Sequence, residues 1–337
     1  MKRLFGCVVG LSFAAVLGVG LLGEHNEANA CAMFGKNARP RIQLDFEEGL
    51  VVWDESNRME HFIRSASFLG VDDDFGFVVP TPNRPALTEV DEAVFTTLAE
   101  IYTRREPVLR GAARGLDSLD GRQPQAANAR PVTVVEVAHV AGMDATVLRA
   151  SDAGALATWL SAHGLVMPPG SEEWLAPYVR DGWHLTAFQY RRDANNPRLI
   201  SRAVRMSFRA NHPYFPYSEP SHQRNAQGRR FRLTVVAPYR VEGFVGGAAW
   251  DARVGYAGKT AQYERILGPR VPPEAFNRDS FFTTFDMTES HRGEHDLYFQ
   301  RSTTQDPVAP SITVNRTVGA PTRSSPPAPV EIPAADS

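Results

Sequence analysis

The chain has 337 residues, a formal net charge of −2 at pH 7 and 43% hydrophobic residues. This length suffices for one large domain or two small ones with an ordinary hydrophobic core. The nearly neutral charge argues against a general nucleic-acid-binding protein, because such proteins need a basic face to displace the counterions of the phosphate backbone.

The first thirty residues have the organisation of a secretory signal peptide. A short positive region precedes an apolar stretch at residues 4–23, and Ala28 and Ala30 form the small-x-small pattern of a cleavage site. We therefore predict export, with cleavage before Cys31. An uncleaved membrane anchor is the alternative, because about twenty apolar residues can span a bilayer. We favour cleavage, since five glycines dilute the hydrophobicity of this stretch.

Cysteine use limits how the exported chain is stabilised. Cys7 lies in the signal segment, so the mature chain keeps only Cys31 and forms no internal disulfide. Stability then has to come from an ordinary hydrophobic core. Three states stay open for Cys31: a free thiol, a lipid attachment point or an intermolecular disulfide.

Short strands dominate the pattern that follows. Three strands are predicted first, at 50–53, 59–68 and 75–79. We expect them to form an antiparallel meander that ends at the proline-rich residues 80–82. The first helix is predicted at Glu89–Arg104, with Thr88 as its N-cap. Residues 105–131 have little apolar periodicity and indicate a long loop, within one domain or between two.

The second half repeats this mixture of elements. Further strands are predicted at 133–140, 183–191, 203–208, 231–236 and 281–287. Two helices are predicted, one from Ser151 to His163 ended by Gly164, and one from Ser171 ended by Gly182. From Asp306 onwards the chain is rich in proline and lacks aromatic residues, which predicts a disordered tail. The fold class is therefore α+β, with antiparallel sheets and about three packed helices.

Four segments resemble the bacterial domain-of-unknown-function 2330 family. They are EHFIRSASFLGVDDDFGFVVPTPNRPALTEVDEAVFTTL, ATVLRASDAGALATWLSAHGL, EEWLAPYVRDGWHLTAFQY and HPYFPYSEP. The resemblance covers about Cys31 to Met287 and rests on packing signatures, not catalytic ones. It implies an exported or membrane-attached bacterial protein with no established activity. Members of that family often carry a second cysteine shortly after the one matching Cys31, and some carry a C-terminal membrane helix. This sequence differs from them in both features.

Motifs with a known chemistry are scarce. The pattern G-x-G-x-x-G occurs once, at residues 18–23, inside the signal segment and without a βαβ unit around it. His291 and His295, with acidic neighbours in HRGEHD, have the spacing of a metal-binding pair. Gly293 lies between them, which favours a polar surface turn. The acidic run at 72–74 could bind a cation, but it fits a solvated turn better.

Two further features are candidate functional sites. His184 is a candidate catalytic base without an identifiable nucleophile, so we interpret it as a half-buried strand histidine. The segment NHPYFPYSEP at 211–220 carries Tyr214, Phe215 and Tyr217 on a backbone stiffened by three prolines. These aromatic residues are our candidate partner contacts if the segment is exposed. The alternative is a crossing segment that closes the edge of the core.

The sequence therefore predicts an uncharacterised exported bacterial protein, periplasmic or extracellular, that acts without catalysis as a cell-envelope binding or structural module. The expected partner is an unknown envelope protein or polymer. We expect no metal, no cofactor, no nucleic acid and no transmembrane segment after signal cleavage, with lipid attachment at Cys31 left open. The alternative function is an exported hydrolase whose site is assembled from scattered residues. A polar, concave pocket with converging side chains would favour that enzyme.

Overall fold

Three β-sheets and two helical layers make up the part of the chain that the structure, a computed structural model, describes. The described residues are 33–35, 43–69, 74–103, 132–190, 199–200, 203–224, 229–290 and 292–312. The predicted cleavage site at Ala28, Ala30 and Cys31, and the predicted loop at 105–131, lie outside them.

Within these residues the strands, in chain order, are β1 (Met33–Gly35), β2 (Gln43–Asp54), β3 (Met59–Leu69), β4 (Phe75–Thr81), β5 (Ala86–Val90), β6 (Val132–Val140), β7 (Met143–Ala150), β8 (His184–Tyr190), β9 (Leu199–Ile200), β10 (Ala203–Arg209), β11 (Tyr214–Phe215), β12 (Arg229–Ala237), β13 (Val241–Val245), β14 (Ala248–Ala249), β15 (Arg253–Gly258), β16 (Phe281–Ser290) and β17 (Leu297–Arg301). The helices are α1 (Ala93–Tyr102), α2 (Ala153–Ala162), α3 (Ser171–Arg180), α4 (Ser221–Arg224) and α5 (Tyr263–Leu267), with a 3₁₀ turn at Pro273–Ala275. None of the helices in the described residues is long and apolar enough to cross a membrane.

An eight-stranded sheet, called the central sheet below, runs in the order β15-β16-β12-β2-β3-β10-β5, with β9 paired to β3. Its neighbours are antiparallel except β12 and β2, which are parallel. A five-stranded sheet runs β1-β4-β8-β7-β6, and a four-stranded sheet runs β11-β17-β13-β14. This architecture agrees with the predicted α+β class of mainly antiparallel sheets.

The central sheet is buried on both faces because apolar side chains alternate along its strands. On β3, Phe62 joins a core shared with the five-stranded and four-stranded sheets, whereas Ile63 joins a core under α1 and α5. A third core lies between the five-stranded sheet and the helices α2 and α3. Each large apolar side chain buried in these cores contributes about 1.5–3 kcal/mol to folding.

Every strand predicted from the sequence is present, but the predicted meander is wrong. The strands β2 and β3 pair antiparallel, as expected, whereas β4 leaves the central sheet and pairs with β1 and β8. All residues of β4 are buried. A strand that is apolar on both sides has to lie inside a sheet with cover on both faces, and the five-stranded sheet offers that cover.

The predicted helices are confirmed, but two of their starts are wrong. Thr88 is not an N-cap, because residues 86–90 form β5 and pair with β10, so α1 begins only at Ala93. The cap of α2 is Asp152, whose carboxylate accepts a hydrogen bond from the Ala155 N–H at 2.6 Å. The predicted helix ends at Gly164 and Gly182 are confirmed, with φ of 79° and 72°, where glycine carries no steric cost.

The predicted disorder from Asp306 is wrong for residues 306–312. Val308 bridges Ala257 at the edge strand β15, and the Ile312 side chain is fully buried in the core under α1. The segment is held by isolated β-bridges and not by a regular strand. An edge strand such as β15 has unpaired backbone groups that can form such bridges. The rest of the predicted tail lies outside the described residues.

Candidate functional site

The segment at 211–220 is not the exposed contact loop proposed above. The side chains of Tyr214, Phe215 and Tyr217 are only 1%, 0% and 3% exposed. The Phe215 ring packs against the rings of Phe62 and Phe231, with distances between ring centroids of 5.4 and 5.0 Å. The three aromatic residues therefore cannot serve as surface contacts in this conformation. The structure agrees with the alternative interpretation, a crossing segment that closes the edge of the core. The three rings cover apolar side chains on one face of the central sheet.

A buried carboxylate, Asp296, fixes this segment in place. Its Oδ1 accepts hydrogen bonds from the backbone N–H groups of Tyr217 and Ser218, at 3.0 and 2.9 Å. Its Oδ2 accepts from the hydroxyls of Tyr178 and Tyr214, at 2.8 and 3.4 Å. Asp296 thus joins α3, residues 211–220 (called the aromatic segment below) and the loop before β17. The sequence showed Asp296 only as one acidic residue of HRGEHD, and no local signal distinguishes it there.

The rest of HRGEHD does not assemble into a metal centre. Glu294 pairs with Arg224 at 3.6 Å, His295 is exposed, and His291 lies outside the described residues. No group of three or more His, Cys, Asp or Glu side chains within the described ranges is placed to hold a metal ion. Of the acidic run at 72–74, only Asp74 is described.

His184 is half-buried at the start of β8, as interpreted from the sequence. Burial lowers its pKa, and the nearby positive charges of Arg149 and Arg84 lower it further. Its Nδ1 has no hydrogen-bond partner in the described part of the chain. A catalytic base needs a nucleophile within hydrogen-bond reach, and none of the described residues is hydrogen-bonded to this nitrogen.

A buried charge network lies between the aromatic segment and the central sheet. The Glu47 carboxylate binds two arginines, Arg64 at 2.6 Å and Arg292. The Arg292 guanidinium also lies 4.6 Å from the ring centroid of Phe231 and 4.8 Å from that of Tyr217. Cation–π contacts and a shared carboxylate together offset the cost of removing these charges from water. A mid-strand arginine such as Arg64 is costly to bury unless it meets a carboxylate, and Glu47 is the carboxylate that it meets.

Arg64 also borders a pocket between the central and five-stranded sheets. Its lining residues are Phe62, Arg64, Phe77, Val79, Met143, Phe188, Val204 and Met206. The space is about 20 Å³, enough for one water-sized group. Among the lining residues that the structure describes, Arg64 is the polar side chain, and it stacks on Phe77, with its Cζ 4.9 Å from the ring centroid. Chemically, such a site can hold an apolar group beside one cation.

Comparison with protein-family models identifies a family. A family model described as an uncharacterised protein conserved in bacteria (DUF2330) matches residues 26–286. No curated protein matches the sequence.

Solved structures resemble this chain only weakly. Baculovirus P35 has a TM-score of 0.39 at 6% identity, over 81% of this chain and 100% of that chain. The caspase-8/P35 complex has a TM-score of 0.34 at 5% identity, over 78% of this chain and 94% of that chain. We infer neither fold nor function from likeness at this level.

Proposed function

The chain belongs to the DUF2330 family of uncharacterised proteins conserved in bacteria, and we propose that it is an exported cell-envelope module that works by binding. The target we propose is an apolar group of an envelope protein or polymer. The pattern at Ala28 and Ala30 supports export with cleavage before Cys31.

The observation that carries the proposal is the pocket between the central and five-stranded sheets. Apolar and aromatic walls with a single charged side chain are typical of ligand sites, in which the polar group fixes orientation. Met143 and Met206 form part of the wall. Methionine side chains are unbranched and adaptable, so they can move to admit a group larger than the 20 Å³ space. The described lining, apolar and aromatic around one arginine, supports a binding role for this pocket.

Native mass spectrometry of protein purified from envelope fractions tests the proposal. We expect a species that starts at Cys31 and carries a bound mass. Met206→Phe places a larger ring in the pocket and should remove the bound mass without unfolding the protein. Val137→Phe is the matched control, because Val137 is 47% exposed and lies outside the pocket.

Each part of the proposal can fail separately. Recovery of the protein in the cytoplasm, with Met1 retained, would contradict export. A bound mass that persists in Met206→Phe would contradict the pocket as its site. The absence of any bound mass or cross-linked envelope component from the wild-type protein would contradict the binding function.

A further inference from the structure

A serine and a histidine meet on the face of β3 and β10 that points away from the pocket. Ser207 and His61 are direct partners in the antiparallel register of these strands. The Ser207 Oγ lies 2.9 Å from the His61 Nδ1. The two residues are 146 positions apart in the chain, so a local sequence motif cannot indicate the pair. His61 is 5% exposed, whereas Ser207 is partly exposed to solvent.

Arg205 lies on the same face, two residues before Ser207 on β10. Its Nη1 donates a hydrogen bond to the Arg270 carbonyl at 2.6 Å, and its Nη2 donates to the Thr88 Oγ1 at 3.2 Å. The Nε is buried and has no hydrogen-bond partner among the described residues. The guanidinium is thus held firmly on the same face as Ser207, and a buried Nε–H without an acceptor is an unusual state for a buried donor.

The surroundings of His61 keep its imidazole neutral near pH 7. Burial lowers its pKa to about 4, and the positive charge of Arg205 acts in the same direction, whereas Asp54 and Glu274 act against both. A neutral imidazole with its proton on Nε2 can accept the hydroxyl proton of Ser207 at Nδ1. A hydroxyl in contact with a base is the arrangement of an activated nucleophile.

We propose that Ser207, His61 and Arg205 form a nucleophilic site that hydrolyses small acyl esters. Ser207 Oγ forms a bond to the carbonyl carbon while its proton passes to His61 Nδ1. Arg205 lies two residues away on the same face, and its positive charge, which also acts on His61, favours the negative charge that develops on the carbonyl oxygen. The carbon–oxygen bond to the alcohol breaks, and His61 returns the proton to the departing alcohol. Water then attacks the acyl-serine through the same proton transfers, which releases the acid and restores Ser207.

This activity goes beyond the proposed binding function. The even-numbered residues 62, 64, 204 and 206 face the pocket, and the odd-numbered residues 61, 205 and 207 form the nucleophilic site. Since the two sites lie on opposite faces of the central sheet, a variant of one leaves the side chains of the other in place.

A fluorophosphonate probe and p-nitrophenyl acetate test the proposal with the full-length protein. We expect one probe molecule per chain, mapped to Ser207 by peptide mass spectrometry. Ser207→Ala should abolish labelling and lower ester hydrolysis at least 100-fold, and His61→Gln should lower both rates at least tenfold. The labelling rate should fall as the pH drops below about 4, where His61 takes up a proton. Ser151→Ala, an exposed serine far along the chain, is the control and should label like the wild type.

Labelling of the wild-type protein decides the question even where a variant fails to fold. A wild-type protein that takes up no probe, or takes it up at another serine, overturns the proposal. Labelling at Ser207 that is unchanged in a folded His61→Gln variant overturns the role of His61 as the base.

Discussion

Two buried carboxylates hold the aromatic segment from different sides, and they differ in the number of donors that reach them. Asp296 accepts four hydrogen bonds, two from backbone N–H groups and two from tyrosine hydroxyls. Glu60, on β3, accepts one, from the Tyr214 N–H at 2.8 Å. The Glu60 Oε1 is buried and has no hydrogen-bond partner in the part of the chain that the structure describes.

This difference decides how each side chain tolerates burial. Burial raises the pKa of both groups, and for Glu60 the pKa rises well above its ordinary value because a single hydrogen bond opposes it. For Asp296, hydrogen bonds from Ser218, Tyr178, Tyr217 and Tyr214 all favour the charged form and oppose the effect of burial. The comparison teaches that several converging donors favour the charged form of a carboxylate in the protein interior, whereas burial with a single donor favours the neutral form.

The comparison predicts its largest effect at Asp296. Asp296→Ala leaves two backbone N–H groups and two hydroxyls without their acceptor, so we expect a loss of about 3–5 kcal/mol in the free energy of unfolding. Urea unfolding measures this loss. Asp251→Ala removes an exposed carboxylate and should change stability by less than about 0.5 kcal/mol. A loss in Asp296→Ala as small as that of this control would contradict the role of Asp296.

The second prediction concerns Glu60 and the pH. Because its folded pKa lies above its unfolded value of 4.5, the stability that protonated Glu60 provides is present below about pH 4.5 and is lost as the pH rises. Glu60→Gln cannot ionise, so its stability relative to the wild type should increase from pH 5 to pH 8, by at most about 1.4 kcal/mol per pH unit.

Thermal unfolding across this pH range measures the effect. Glu92→Gln, which replaces an exposed carboxylate at the start of α1, is the control for the change from glutamate to glutamine itself. A constant difference between Glu60→Gln and the wild type from pH 5 to pH 8 would mean that Glu60 is already ionised in the folded protein at pH 5, which would contradict its raised pKa.

The smallest expected effect tests one donor of Asp296. Tyr178→Phe removes the hydroxyl that lies 2.8 Å from Oδ2 and leaves the ring packing intact. We expect a loss of about 1 kcal/mol, the usual net contribution of one hydrogen bond. Tyr263→Phe, whose hydroxyl contacts an exposed glutamate, is the control and should lose less. Equal losses in both variants would show that Asp296 does not depend on Tyr178.

Local patterns predicted the elements of this fold well because the buried apolar residues of a strand or a helix recur at its characteristic spacing. The strand at 59–68 and the helix ends at Gly164 and Gly182 are read from alternation and from glycine at positive φ. The errors arose where a local pattern fits two structures. Residues 86–90 carry a plausible helix start and also pair as β5 with β10, and only the neighbouring strand decides between them.

The sequence by itself determined the α+β class, the positions of most elements and membership of a bacterial family. Only the tertiary structure decided which side chains meet. It buries Tyr214, Phe215 and Tyr217, gathers four donors around Asp296, and places Ser207 against His61. The physical reason is that periodicity records which face of an element is buried, whereas strand register and chain crossings bring together residues that are more than a hundred positions apart.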